Sequence, residues 1–162
     1  MSRGETIEVV EVPDGSRDDL EFILDESFEG LYLRHAKRTP KEIGVVRVAR
    51  SPEGPVGLIM VKAVEEKAGY VYYVAVAMAH RRKGLASLLL EDALVRFKAD
   101  GVEDVYASVE EDNVPSARLF LSHGFARTSF AEVAKRFGML RAVNMYRVMM
   151  VVPGEVLLHK SI

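Results

Sequence analysis

A run of β-branched and aromatic residues, Tyr70-Val-Tyr-Tyr-Val-Ala-Val-Ala77, leads almost directly into His80-Arg-Arg-Lys-Gly-Leu-Ala-Ser-Leu-Leu-Leu-Glu-Asp92. The first stretch has the composition of a strand. The second places three cations, a glycine and small residues ahead of a long amphipathic pattern, so a strand feeds a helix N-terminus. The first turn of any helix has backbone N–H groups without intrahelical acceptors, and the helix dipole adds positive potential there. Gly84 and Ala86 keep bulk away, so a phosphate can approach the backbone closely. A solvated basic face is the alternative. Three cations at a helix N-terminus, however, cost about 0.3–1 kcal/mol each at an exposed site unless an anion offsets them. The balance favours a phosphate or pyrophosphate ligand.

Arg81-x-x-Gly84-x-Ala86, following a Val-Ala-Val strand, resembles the acetyl-CoA signature Q/R-x-x-G-x-G/A of the GNAT superfamily of N-acetyltransferases. The similarity continues through Asp104-Val-Tyr-Ala-Ser-Val-Glu110, Asn113-Val-Pro-Ser-Ala-Arg-Leu-Phe120 and Leu121-Ser-His-Gly-Phe125. The latter two resemble the family segment in which an asparagine opens a short helix that leads to Gly-Phe. The resemblance spans about residues 44–152 and is strongest over 70–125. It implies an α/β fold with a central mixed, mostly antiparallel sheet of about six to seven strands and helices on both faces. It also implies acetyl-CoA as cosubstrate, with no metal. By resemblance, the main chain of Val74, Ala75 and Val76 pairs with the pantetheine arm and holds the thioester. Arg81, Arg82, Lys83, Gly84, Leu85, Ala86 and Ser87 surround the pyrophosphate. Asn113 and Phe120 are carried over as cofactor contacts. Asn113 has a second reading as a helix cap.

A chain of 162 residues fits a single domain with a proper core, taken here as 1–162 with 153–162 as a C-terminal tail. The apolar stretches fall short of the ~18–20 residues that cross a bilayer, and the first residues lack a signal-peptide core. A cytoplasmic protein without membrane partners is the expectation. Cysteine is absent, which excludes disulfides, thiolate zinc sites and an acyl-cysteine intermediate. The net charge of −2 conceals an asymmetry: residues 5–29 carry ten acids and one base. They form either a solvated acidic face or the edge of an amine site, beside a basic remainder that holds the anionic cofactor. A sequence pI of about 6.1 without a basic stripe gives nucleic-acid binding little support.

Along the chain, Thr6–Val12 reads as a strand, followed by a turn at Pro13-Asp-Gly15. Ser16 or Asp18 caps a helix reaching Phe28, and Leu31–Arg38 reads as a second short helix. Gly44–Arg50 and Val56–Glu65 form a hairpin around Ser51-Pro-Glu-Gly-Pro55. The helix at about 83–99 buries Ala86, Leu89, Leu90, Ala93, Leu94 and Phe97, and Asp100-Gly101 ends it. A strand at 103–109, a helix at 115–122 and a strand from Phe125 follow. Residues 130–137 have helical spacing. Ala142–Val152 is predicted as the final strand, carrying Tyr146. The Val-Leu-Leu triplet of the tail either adds a strand to a partner or packs on its own domain.

Amine attack on a thioester needs a held carbonyl, an oxyanion donor and proton transfer. At the positions where related N-terminal acetyltransferases often carry a glutamate base and a tyrosine acid, this chain has Ser108 and Phe120. A phenylalanine donates no proton, and Ser108 has no histidine adjacent in sequence to activate it. Glu110, two residues on and hence on the same strand face, becomes the candidate base through a water. Tyr72 is the candidate acid, among Tyr70, Tyr106 and Tyr146. The four histidines show no metal-ligand spacing. The expected function is direct acetyl transfer, in a ternary complex, to a primary amine: a protein or peptide N-terminus, a lysine or a small amine. The alternative is a non-catalytic acyl-CoA-binding sensor. A nucleotide-binding domain is disfavoured because neither phosphate-loop fingerprint is present. Assembly as a homodimer is left open.

Overall fold

A computed structural model describes residues 6–12, 20–28, 36 and 44–162. In chain order the elements are β1 (Glu8–Glu11), α1 (Glu21–Ser27), β2 (Val45–Ser51), β3 (Gly54–Glu65), β4 (Ala68–Val76), a 3-10 turn (Met78–His80), α2 (Leu85–Ala99), β5 (Asp104–Glu110), α3 (Val114–Ser122), β6 (Ala126–Arg127), α4 (Phe130–Phe137), α5 (Met139–Met149) and β7 (Glu155–Ser161). The seven strands form one sheet in the order β1-β2-β3-β4-β5-β7-β6. The fold is therefore mixed α/β with a mostly antiparallel sheet, as expected. The turn at 13–15, the start of the first helix and most of the 31–38 helix lie outside the described residues. No helix among the described residues is long and apolar enough to cross a membrane.

The chain forms two compact units, one holding the described residues up to Lys62 with Tyr73–Val95, the other Ala63–Tyr72 with Arg96–Ile162. In the first, β1, β2 and β3 pair antiparallel, with a register shift at Ala49/Arg50. The β2–β3 turn is held by the Ser51 hydroxyl, which accepts from the Glu53 N–H at 3.2 Å. On α2, Leu85, Leu89, Leu90 and Ala93 are buried, while Val95 faces out. Ala86 and Leu94, expected on the same buried face, are half-covered. The helix closes on the sheet at Gly57, where an added Cβ would lie 3.1 Å from both the Ala75 carbonyl oxygen and Leu89 Cδ1. A two-point pair from the Arg47 guanidinium on β2 to the Asp92 carboxylate on α2 fixes the same helix, Nη2–Oδ1 being 3.0 Å.

In the second unit β4 pairs parallel with β5 over Ala68–Val71, and β7 runs antiparallel to β5 over all seven of its residues. Two expectations are corrected here. Residues 142–152 are not a strand: most of them lie on α5, where Ala142, Met145 and Met149 are buried at helical spacing. Tyr146 is accordingly on a helix. The valines and methionines read as strand formers by composition, but their burial period is nearer 3.6 than 2, and period decides. The final strand is instead β7, so Glu155–Ser161 is a paired strand of the sheet and not a tail.

Ser129 caps α4 by accepting from the Glu132 N–H at 3.3 Å, and Gly138 at φ +90° separates α4 from α5. The two helices bury Val133, Ala142, Met145 and Met149 with Tyr70, Tyr106 and Leu157. Gly69, which points to the opposite face from Tyr70, meets the Phe97 ring of α2, so helices cover both faces. Asp104, at 2% exposure, accepts from His159 Nε2 at 2.7 Å and Arg136 Nε at 2.8 Å. A carboxylate buried alone would cost several kcal/mol, and these partners offset that penalty while tying α4 to β5 and β7.

Candidate functional site

In the first unit, the end of β4 leads through the 3-10 turn into a loop with two left-handed residues, Arg82 at φ +62° and Gly84 at φ +78°. A Cβ on Gly84 would meet nothing within 4 Å, so the glycine answers the backbone conformation rather than crowding. Leu88 is the first residue of α2 with an intrahelical acceptor, the Gly84 carbonyl at 3.0 Å. The amides of Leu85, Ala86 and Ser87 thus stand at the open end of the helix. Arg82, Lys83 and Gly84 are exposed around them, and among the described residues no ion pair engages Arg82 or Lys83.

Arg81 has a different task. Its Nε donates to the Val76 carbonyl at 3.1 Å and its Nη2 to the Glu26 carbonyl at 3.0 Å. The Glu26 carboxylate in turn accepts from the Met78 N–H at 2.6 Å. Arg81 and Glu26 therefore fasten the strand end, the 3-10 turn and α1 together, which sequence spacing alone gave no means of seeing. Val74, Ala75 and Val76 lie on β4 beyond Val71, where its parallel ladder with β5 stops.

In the second unit, Asn113 caps α3 by accepting from the Ser116 N–H at 3.3 Å. That engages its carbonyl oxygen, so the cap reading holds whatever else its amide NH2 does. Phe120 is buried with its ring edge-on to Phe125 at 5.1 Å. Glu110 sits exposed at the end of β5, opposite Glu155 of β7. Ser108 is half-buried, its Oγ 2.5 Å from Tyr70 Oη. Tyr72 donates its hydroxyl to the Val148 carbonyl at 2.7 Å, and burial pushes its phenol up to about 12. Burial also raises Tyr106, with Asp104 adding to it, and Tyr146. Sequence reasoning did not pair Tyr70 with Ser108. The strand parity was available, but the β4–β5 register that makes them neighbours was not.

These phenols give a measurable signature. Between pH 10 and 12 the folded protein keeps the Tyr72 proton that the unfolded chain has lost, so stability falls as pH rises through that window. Ultraviolet difference titration should show Tyr72 ionising near 12, well after exposed phenols near 10. A single transition of all tyrosines near pH 10 in the folded protein would contradict the burial of these rings.

Among the described residues no three or more His, Asp or Glu side chains gather as a metal-binding group. The family model described as acetyltransferase (GNAT) family matches residues 9–125, beginning and ending earlier than the 44–152 read from motifs. Mycothiol acetyltransferase of Actinosynnema mirum is 37% identical over 71 residues, 44% of this chain. That stretch is 24% of the relative, so the chain spans only about a quarter of its length. An IAA acetyltransferase from Bacillus cereus superposes with a TM-score of 0.71 at 16% identity, covering 97% of this chain and 100% of that one. A PaiA N-acetyltransferase from Thermoplasma acidophilum, in complex with coenzyme A, gives 0.73 at 12% identity and covers 97% and 99%. At such identities these two likenesses are of fold. The sequence match is the stronger finding, since it runs from β1 to Phe125 over well more than half the chain, and it places the protein in the acetyltransferase (GNAT) family, whose members use acetyl-CoA.

Proposed function

We propose that this protein transfers the acetyl group of acetyl-CoA directly to a primary amine in a ternary complex. The observation that carries the reading is the loop at 81–87. Two left-handed residues lead into a helix whose first amides are open, with Arg82 and Lys83 exposed beside them. In this reading the amides of Arg82 to Ser87 hold the pyrophosphate, and the main chain of Val74 to Val76 holds the pantetheine and thioester. Arg81 shapes the loop from behind. A preorganised N–H aimed at the developing oxyanion contributes ~3 kcal/mol to such a reaction.

The acceptor is an α-amino group, a lysine or a small amine. An α-amino group, with pKa about 8, is already partly neutral at physiological pH and needs little help from a base, whereas lysine at about 10.4 needs more. Glu110 is the carboxylate available to take the amine's proton through water. Tyr72 is the weaker candidate for acid, because its hydroxyl is already donated to Val148. The setting proposed is the cytoplasm, with the protein acting alone or as a homodimer.

The test is to incubate the protein with acetyl-CoA and a panel of peptides, polyamines and small amines, following free CoA against a control without acceptor. Acceptor-dependent CoA release is expected. Tight CoA binding with no such release across the panel would overturn the enzymatic reading in favour of a sensor.

A further inference from the structure

A cavity of about 290 Å³ opens within the first unit, where α1, the β2–β3 turn and the 3-10 turn after β4 come together. Its floor is buried, with Val56 and Ala77 beside Ser51. The Ser51 hydroxyl is committed, donating to the Gly54 carbonyl at 3.3 Å and accepting from the Glu53 N–H. The rim is different. Phe22 presents a ring that is 44% exposed, and Glu26 and Glu53 are exposed with it. His80 is the other titratable group on the wall, and no lysine or arginine lines the cavity. An apolar floor under two acids suits a small apolar body with a positive end and opposes an anion.

Glu26 also belongs to the loop described above. Its carboxylate accepts from the Met78 N–H at 2.6 Å, and its main-chain carbonyl accepts from Arg81 Nη2 at 3.0 Å. A group that pairs with Glu26 therefore touches the segment that opens the 81–87 loop.

We infer that this cavity takes a small organic amine on a short alkyl stem, and that the bound amine tightens the hold of the 81–87 loop on CoA. The inference rests on the reading of that loop as the pyrophosphate site. The sign follows from electrostatics. Two carboxylates beside the turn that opens the loop oppose an incoming pyrophosphate, and an ammonium that pairs with them removes the opposition. A carboxylate accepts several hydrogen bonds, so Glu26 can hold the ammonium and the Met78 amide together. The alkyl stem covers Val56 and Ala77 and lies against the Phe22 ring. Because the rim is wet, the dissociation constant is on the order of 1 mM and rises with salt.

Calorimetric titration at about pH 8 tests this with butane-1,4-diamine, which stays charged there while ordinary imidazoles are neutral. CoA replaces acetyl-CoA, so no transfer to the diamine intervenes. At saturating diamine the CoA dissociation constant should fall about fivefold, and saturating CoA should tighten the diamine by the same factor. Butane-1,4-diol, its neutral isostere, should do neither. Glu53→Gln removes a rim charge, and Ala79→Phe fills the cavity from an exposed position. Each should weaken the diamine about tenfold or more. No diamine binding at about 20 mM, or a coupling to CoA that survives both variants, would overturn the cavity as its site. Diamine binding through Glu53 with CoA affinity unmoved would overturn the coupling alone. A protein that binds diamine through Glu53 but no CoA at all would overturn the loop reading and the coupling with it, and leave the amine site standing.

Discussion

Gly84→Glu should weaken acetyl-CoA binding by roughly 100-fold or more, the equivalent of about 3 kcal/mol. Two effects combine. A carboxylate close to a pyrophosphate costs on the order of 1 kcal/mol or more even at a largely aqueous dielectric, and it also competes for the open amides of α2. A non-glycine residue at φ +78° adds about 1–2 kcal/mol of local strain. Only the strain reaches the folding equilibrium, because Gly84 is exposed and its missing Cβ faces open space. The melting temperature should therefore fall by only about 2–8 °C. Gly84→Asn separates the two effects, since asparagine tolerates the left-handed region and carries no charge. It should cost little affinity. Arg82→Gly makes the reverse change, relieving a positive φ while removing a cation, so it should weaken binding without lowering stability. Calorimetric titration with CoA beside thermal unfolding reads both. Unchanged affinity in Gly84→Glu would mean that the cofactor binds elsewhere.

Leu89→Ala should be among the most damaging single changes to the first unit, lowering stability by about 3–5 kcal/mol. Leu89 is fully buried, and its Cδ1 fills the space that Gly57 leaves open. Gly57 has no side chain that could swing into the void, and the carbonyl of Ala75 behind it is fixed backbone, so the site relaxes little. For a chain of this size the loss corresponds to a melting temperature about 6–20 °C lower. CoA affinity measured well below that temperature should stay close to wild type, because the loop amides lie one turn away. A loss under about 1 kcal/mol would show that α2 is held mainly by the Arg47–Asp92 pair.

Much of this was legible in the chain itself. The hairpin around residues 51–55, β4, α2 and β5 follow from apolar period and from breakers such as Gly101. The loop at 81–87 announced itself by cations at the wrong end of a helix. What failed did so for a reason. Residues 142–152 are rich in valine and methionine, which suit a strand by composition, and only packing against Tyr70 and Tyr106 shows which face is buried. Glu155–Ser161 was read as a tail because its partner β5 is distant in sequence. The Arg81 bonds to Val76 and Glu26 were equally out of reach, since they join segments whose proximity no spacing records. The Tyr70–Ser108 pair needed the parallel register as well.

The place of β7 has a consequence for how the molecule comes into being. It lies between β5 and β6, yet the ribosome makes it after both. Until Glu155–Ser161 has been synthesised and released from the exit tunnel, β5 presents an open edge along Asp104–Glu110, and β6 has no ladder to join. The nascent chain therefore carries an open pairing edge on β5 until β7 emerges, and domain swapping and edge-to-edge association are easiest in that interval. Closure of β7 on β5 and β6 is one of several long-range pairings in this fold, and such pairings form slowly. Ribosome-bound chains stalled before Glu155 should accordingly be protease-sensitive across the second unit.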